Sequence, residues 1–157
     1  MQMPSPENDF QSQHASLLGS SFYRMLGQEL APGFEGLSAG EFAQGLFELP
    51  AVVVSHGTQD DPIFNYANQA ALKLFEMDWE SFTQLPSRKS AEPLNRQERA
   101  RLLEAVTTQG FIDDYSGVRI SSQGRRFLIP KAIVWNVIDE AGQLLGQAAT
   151  FSNWEYI

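Results

Sequence analysis

The sequence predicts an α+β domain in which two short strands are followed by a run of helices and then by three long strands. Three observations carry that expectation. Residues Ile63 to Phe75 read as an aromatic-rich strand leading straight into a helix that opens at Asn68. From Phe111 onward the pattern turns to long β segments broken by Gly124 and Gly142, the residue that adopts positive φ without steric cost. Before residue 50, apolar positions instead recur at helical spacing.

Residues 1–9 are polar, carry two prolines and read as a loose tail. Over 10–30, Leu18, Phe22, Met25, Leu26 and Leu30 share one helical face, and Pro32-Gly33 stops the helix. Ser38 and Glu41 form a capping box for a second helix with Phe42, Leu46 and Phe47 on its apolar side, closed by Pro50. Ala51–Ser55 reads as a buried strand and 63–66 as its neighbour. Asn68 suits the N-cap of the next helix, because its side-chain oxygen can accept from unpaired first-turn amides. That helix buries Ala71, Leu72 and Phe75. Asp78 can cap a short helix carrying Trp79 and Phe82, and 86–93 reads as a loop. Asn95 with Glu98 caps a longer helix whose buried side holds Leu102, Leu103 and Val106, ending at Gly110. The strands then run Phe111–Ser121, Arg126–Asp139 and Gln143–Trp154.

Composition narrows the chemistry. At 157 residues, with 43% hydrophobic and 19% charged residues, the chain can build an ordinary core. The absence of cysteine removes disulfides, thiolate nucleophiles, iron–sulfur ligation and thiolate zinc sites. His14 and His56 are too few for a histidine-rich metal site. A net charge of −8 opposes binding to a phosphate backbone, so no nucleic-acid partner is expected. Arg96, Arg99 and Arg101 alternate with Glu98 and Glu104 and read as a solvated helix face. Apolar runs such as Ala51–Val54 are too short to cross a bilayer, and the N-terminus lacks the pattern of a signal peptide. No membrane association and a cytoplasmic location are the resulting expectations.

Several short motifs point more narrowly. Ser55-His56-Gly57, Phe64-Asn65-Tyr66-Ala67-Asn68-Gln69-Ala70-Ala71, Phe75-Glu76-Met77 and Leu85-Pro86-Ser87-Arg88 occur in that order. Gly110-Phe111-Ile112, Asp114-Tyr115-Ser116-Gly117 and Gly146-Gln147-Ala148-Ala149-Thr150-Phe151 follow them. Together these stretches resemble the MEKHLA domain family, which is related to PAS domains, over about residues 51–154. The resemblance implies a PAS-like sensory or interaction domain at 49–157, preceded by a tail and helical extension at 1–48, and no catalytic role. It implies a five-stranded antiparallel sheet in the order 2-1-5-4-3, with helices on one face. The homeodomain and leucine zipper of the plant members are not present in this sequence, and the resemblance names no ligand, so the cofactor is unknown.

PAS pockets lie between sheet and helices, and Tyr66, Phe75, Phe82, Tyr115, Trp135 and Gln147 are expected around one cavity or one continuous core there. Gln147, among small residues, and Asn136 offer the few polar groups that orient a ligand in an apolar concavity. Core amides bonded to backbone would look the same in sequence. A flavin–cysteine adduct is impossible without cysteine, and neither histidine is placed as a haem ligand; His56 reads as a loop residue. Asp113 and Asp114, adjacent on a strand, point to opposite faces and form no acid–base pair.

The leading expectation is a module that binds an uncharged or weakly polar small molecule and passes its state to a protein partner. A ligand-free interaction or dimerisation domain is the rival, and a small cone-shaped α+β enzyme a third reading. In segment 127–138, one face would hold Phe127, Ile129, Ile133, Trp135 and Val137, the other Leu128, Pro130, Ala132, Val134 and Ile138. Both faces are therefore apolar and need cover. The N-terminal helices, from the same chain or across a homodimer, are expected to cover the outer one.

Overall fold

The computed structural model describes residues 1–94 and 96–157. Strands β1 (Val52–His56), β2 (Phe64–Ala67), β3 (Phe111–Ile120), β4 (Arg126–Ile138) and β5 (Leu144–Phe151) form an antiparallel sheet in the order β2-β1-β5-β4-β3. This is the expected order. A sixth strand, β6 (Glu155–Tyr156), was not anticipated. Pairing between β4 and β5 reaches only to Ile133↔Thr150, so the first residues of β4 keep an open edge, and β6 fills it through Phe127↔Tyr156.

Helix α1 (Ser12–Leu26) ends a turn earlier than expected, because Gly27 adopts φ 71° and returns its N–H to the Tyr23 carbonyl. Residues ahead of it are not a loose tail. Pro6–Gln11 form a 3-10 turn, Pro4 is buried, and the Met1 carbonyl accepts from Trp79 Nε1 at 3.1 Å. Helix α2 (Ala39–Glu48) carries the Ser38–Glu41 capping box, with both reciprocal bonds formed.

Helices α3 (Gln69–Phe75), α4 (Trp79–Phe82) and α5 (Arg96–Thr108) lie between β2 and β3. Asn68 caps α3 through Ala71 N–H, and the same oxygen accepts from Val53 N–H. Its amide nitrogen donates to the carbonyls of Leu46 and Ala51, so one buried side chain ties α2, β1 and α3 together. Asp78 caps α4 through Ser81 N–H. The expected Asn95 cap lies outside the described residues. On α5, Val106 is buried and Leu102 half-buried, one turn apart on the inward side, but Leu103 is exposed. The connecting segment 85–92, with a 3-10 turn at Ser87–Ser90, bonds β2 at one end (Phe64 N–H to Leu85 O) and β3 at the other (Glu92 N–H to Val118 O).

Both faces of the sheet are covered, and by this one chain. On the outer face α1 crosses β4. Trp135 Nε1 donates to the Leu18 carbonyl, Phe22 meets Trp135 edge-on at 4.9 Å, and Ser21 Oγ bonds both N–H and C=O of Ile138. Leu18, Leu46, Val53 and Trp135 are fully buried there, each worth roughly 1.5–3 kcal/mol of burial. The inner face carries Val54, Phe64, Ile129, Ala132 and Phe151 beneath the α3–α5 layer, which contributes Phe75.

The expected division of β4 into two faces needs correction. Phe127 and Ile129 face inward as a pair, but Ile133, Trp135 and Val137 face outward, while Ala132 and Val134 turn inward. The pairing steps from Gly117↔Ile129 to Tyr115↔Ala132, one residue more on β4 than on β3. This bulge falls at the exposed Pro130-Lys131, where proline has no N–H to give the ladder. Two more bulges act the same way. Asn65 is the extra residue on β2, so Phe64 (opposite His56) faces inward and Tyr66 (opposite Ser55) outward. Asp113 and Asp114 form the third and are both exposed, rather than pointing to opposite faces.

Candidate functional site: a cavity between sheet and helices

The inner face is not completely filled. A cavity of about 540 Å³ lies between the sheet and the layer formed by α3, segment 85–94 and α5. Its floor is apolar, with Val54 from β1, Phe64 from β2, Ile129, Ala132 and Val134 from β4, and Ala149 and Phe151 from β5. Phe75 and Leu102 close it from the helices and Tyr115 from β3. Small side chains on the central strands create the space. At Gly146 a Cβ would overlap the His56 carbonyl oxygen, so only glycine lets β5 lie this close to β1.

Of the six residues expected around one cavity, three line it: Phe75, Tyr115 and Gln147. Phe82 sits behind the wall, stacked on Phe64 at 4.2 Å. Tyr66 and Trp135 do not belong to this group at all. They lie on the outer face with α1, turned there by the bulges of β2 and β4. Tyr66 meets Trp79 edge-on at 5.9 Å and His14 at 5.5 Å, and among the described residues its hydroxyl has no hydrogen-bond partner. Burial pushes that phenol's pKa upward.

Polar groups are few and placed on the inward rows. Gln147 Nε2 donates to Asn136 Oδ1 at 3.2 Å, and Asn136 Nδ2 donates to the Val106 carbonyl at 2.8 Å. The side-chain amide oxygen of Gln147 has no partner among the described residues. His56 Nδ1 donates to the Gly57 carbonyl at 2.9 Å, which leaves Nε2 as the lone-pair nitrogen. Burial lowers the His56 pKa; its bond to Gly57 opposes that, and the Arg119 charge adds to the lowering. Arg119 Nη1 donates to Ser90 Oγ at 2.9 Å and to the Ser87 carbonyl at 3.4 Å. Arg88, Arg99 and Glu92 complete the rim. Arg99 therefore does more than coat a solvated helix face, whereas Arg101 is tied to Asp114 at 2.7 Å.

Sequence reasoning missed His56, Leu102 and Arg119. Arg119 was nonetheless readable: it follows Tyr115 and Gly117 at every second residue, an arginine in an inward row.

The comparisons with known proteins agree with this architecture. The MEKHLA domain model matches residues 12–156. The chain belongs to the MEKHLA domain family. The match starts well before residue 51, where the motifs begin, and takes in α1 and α2. Among curated relatives, Homeobox-leucine zipper protein HOX10 of Oryza sativa subsp. indica is 23% identical over 137 residues, 87% of this chain and 16% of that protein. Homeobox-leucine zipper protein ATHB-9 of Arabidopsis thaliana is 26% identical over 100 residues, 64% of this chain and 12% of that protein. The MEKHLA chain thus spans less than a fifth of these relatives' length.

Solved structures share the fold. A PAS domain from Colwellia psychrerythraea superposes with a TM-score of 0.58 at 16% identity, covering 73% of this chain and 92% of that one. An RNA-binding light-oxygen-voltage receptor gives 0.63 at 16% identity, covering 78% and 36%. The domain is PAS-like in fold. Among the described residues, no helix is long and apolar enough to cross a membrane.

Proposed function

We propose that this MEKHLA domain is a non-catalytic sensory module that binds a small molecule non-covalently in the inner cavity and signals occupancy through protein contacts. One observation carries the reading. Residues from separate family motifs, His56, Phe64, Phe75, Ser87, Arg88, Tyr115 and Gln147, converge on that single cavity. Its volume falls within the range of small-molecule sites, and its mix of apolar floor and a few polar groups suits a ligand held in one orientation. A cytoplasmic setting fits the absence of cysteine.

A catalytic role finds little support in the lining. Glu92 is committed to Arg126 at 2.6 Å, and burial keeps His56 neutral near pH 7 with its Nδ1 proton given to a backbone carbonyl. A nucleic-acid partner is disfavoured by the net charge of −8. In this reading a protein partner or a second copy meets the solvent side of α1, where Tyr23 is exposed.

Mass spectrometry of gently extracted protein under native conditions tests the reading. A co-purifying small molecule is expected, and Gln147→Leu should release it without lowering thermal stability. Protein that carries no ligand, and gains no stability from any of a broad small-molecule panel, would favour a ligand-free interaction domain.

A further inference from the structure

The charges around the cavity run against the charge of the chain. The whole sequence has 19 acidic and 11 basic residues, yet the lining holds Arg88, Arg99 and Arg119 against the single carboxylate of Glu92. Arg88 is already neutralised by Asp61 at 3.0 Å, and Glu92 by Arg126. Neither Arg99 nor Arg119 pairs with a carboxylate among the described residues. Arg99 stands exposed on α5, but Arg119 is partly buried, and a guanidinium withdrawn from water without a counter-charge is costly.

Arg119 also has donors to spare. Its two bonds, to Ser90 Oγ and the Ser87 carbonyl, both come from Nη1. They anchor the side chain and leave Nε and Nη2 without a partner among the described residues. That edge of a guanidinium matches the two oxygens of a carboxylate. Beside it the floor is apolar: Val54, Phe64, Ile129 and Phe151.

We infer that the cavity takes an amphipathic carboxylic acid, its head held bidentate by Arg119 and its apolar body laid along the sheet. The inference rests on the ligand-pocket reading above and names the ligand's class, replacing the uncharged or weakly polar molecule expected from sequence. A singly charged planar head fits better than a phosphate dianion, because only one of the two free guanidinium groups is withdrawn from solvent.

Isothermal titration of the full chain with decanoate, decanamide and decyl phosphate tests it. Decanoate should bind at least about tenfold more tightly than decanamide. Arg119→Gln should erase that preference, while Arg99→Gln keeps most of it. Because Arg119 also holds the Ser87–Ser90 turn, Arg119→Lys serves as the second variant, keeping the charge and losing most of the preference with the paired geometry. Ring resonances of His56 should move on adding decanoate, while those of His14 on the outer face stay still. Equal binding of acid and amide would overturn the inference and leave the pocket function standing. So would full preference in folded Arg119→Gln, or decyl phosphate binding far more tightly than decanoate. If no probe binds and native protein carries no ligand, the pocket function falls, and the inference with it.

Discussion

On the outer face of the sheet Trp135, Val137 and Ala148 pack directly against α1, whereas on the inner face Ala132, Val134 and Ala149 look across a cavity of about 540 Å³. The two faces belong to the same central strands and differ in the size of what they present. Large rings, Trp135 and Tyr66, go outward and meet Phe22, His14 and Trp79. Inward, the central strands offer the smaller Val54, Ala132, Val134 and Ala149. An aromatic residue on a strand therefore does not by itself mark the pocket, since Phe64, Tyr115 and Phe151 line it while Tyr66 and Trp135 do not; the small residues of the central strands leave its space. The outer face is packed shut by α1, whereas the inner face keeps space between sheet and helices.

The heaviest blow to the outer face is removal of residues 1–48. That uncovers Val53, Tyr66 and Trp135 together, an apolar patch of the kind that drives association. Aggregation or a steep loss of stability is expected by light scattering and thermal melting. A 49–157 fragment that stays soluble, monomeric and equally stable would erase the distinction between the faces.

Single truncations should sharpen it. Trp135→Ala, in a fully buried site, should cost about 3–5 kcal/mol in a urea titration. Leu102→Ala, half-buried at the cavity wall, should cost only about 1 kcal/mol, since little packing is lost beside existing space. Equal costs would mean that the inner face is as tightly filled as the outer one.

A pH-dependent effect concerns acid tolerance. His14 points from α1 to the sheet, its Nε2 donating to Ser55 Oγ at 3.0 Å while Ser55 donates to Asn65 at 2.5 Å. Burial lowers its pKa from 6.5 to about 4. Unfolded chain therefore binds the proton first as pH falls, and stability drops between about 6.5 and 4, by at most ~3 kcal/mol. The lowered pKa of half-buried His56 acts in the same direction. Stability measured across this range should fall for the native chain and flatten in His14→Gln. An unchanged slope would remove His14 as the acid-sensitive group of the outer face.

The caps at Ser38, Asn68 and Asp78 and the need to cover both faces were legible in the sequence, because each rests on local residue chemistry or on alternation over a strand, while the strand order followed from the family resemblance. The assignment of residues to faces was not. Alternation predicts that Phe64 and Tyr66 share a face, and that Ile129 and Trp135 do; one extra residue between each pair reverses it. Asn65 gives no sequence signal of a bulge, although Pro130 inside a long strand does. Three of the six expected cavity residues line it for this reason, and the arginine rim went unread because its members come from segments far apart in the chain.

The two-residue strand β6 has a consequence for the company this molecule keeps. A row of unpaired N–H and C=O groups at the start of β4 would offer a docking rail to any extended peptide, including another copy of itself. Tyr156 occupies that rail, clamped by Phe127 beneath it and by the Arg125 guanidinium 4.1 Å above its ring. On the far edges of the sheet, Pro86 lies against Ile63 and Ala91 against Arg119. Each border is thus closed in part by the chain's own backbone, which guards a β-rich surface against fibril-like stacking.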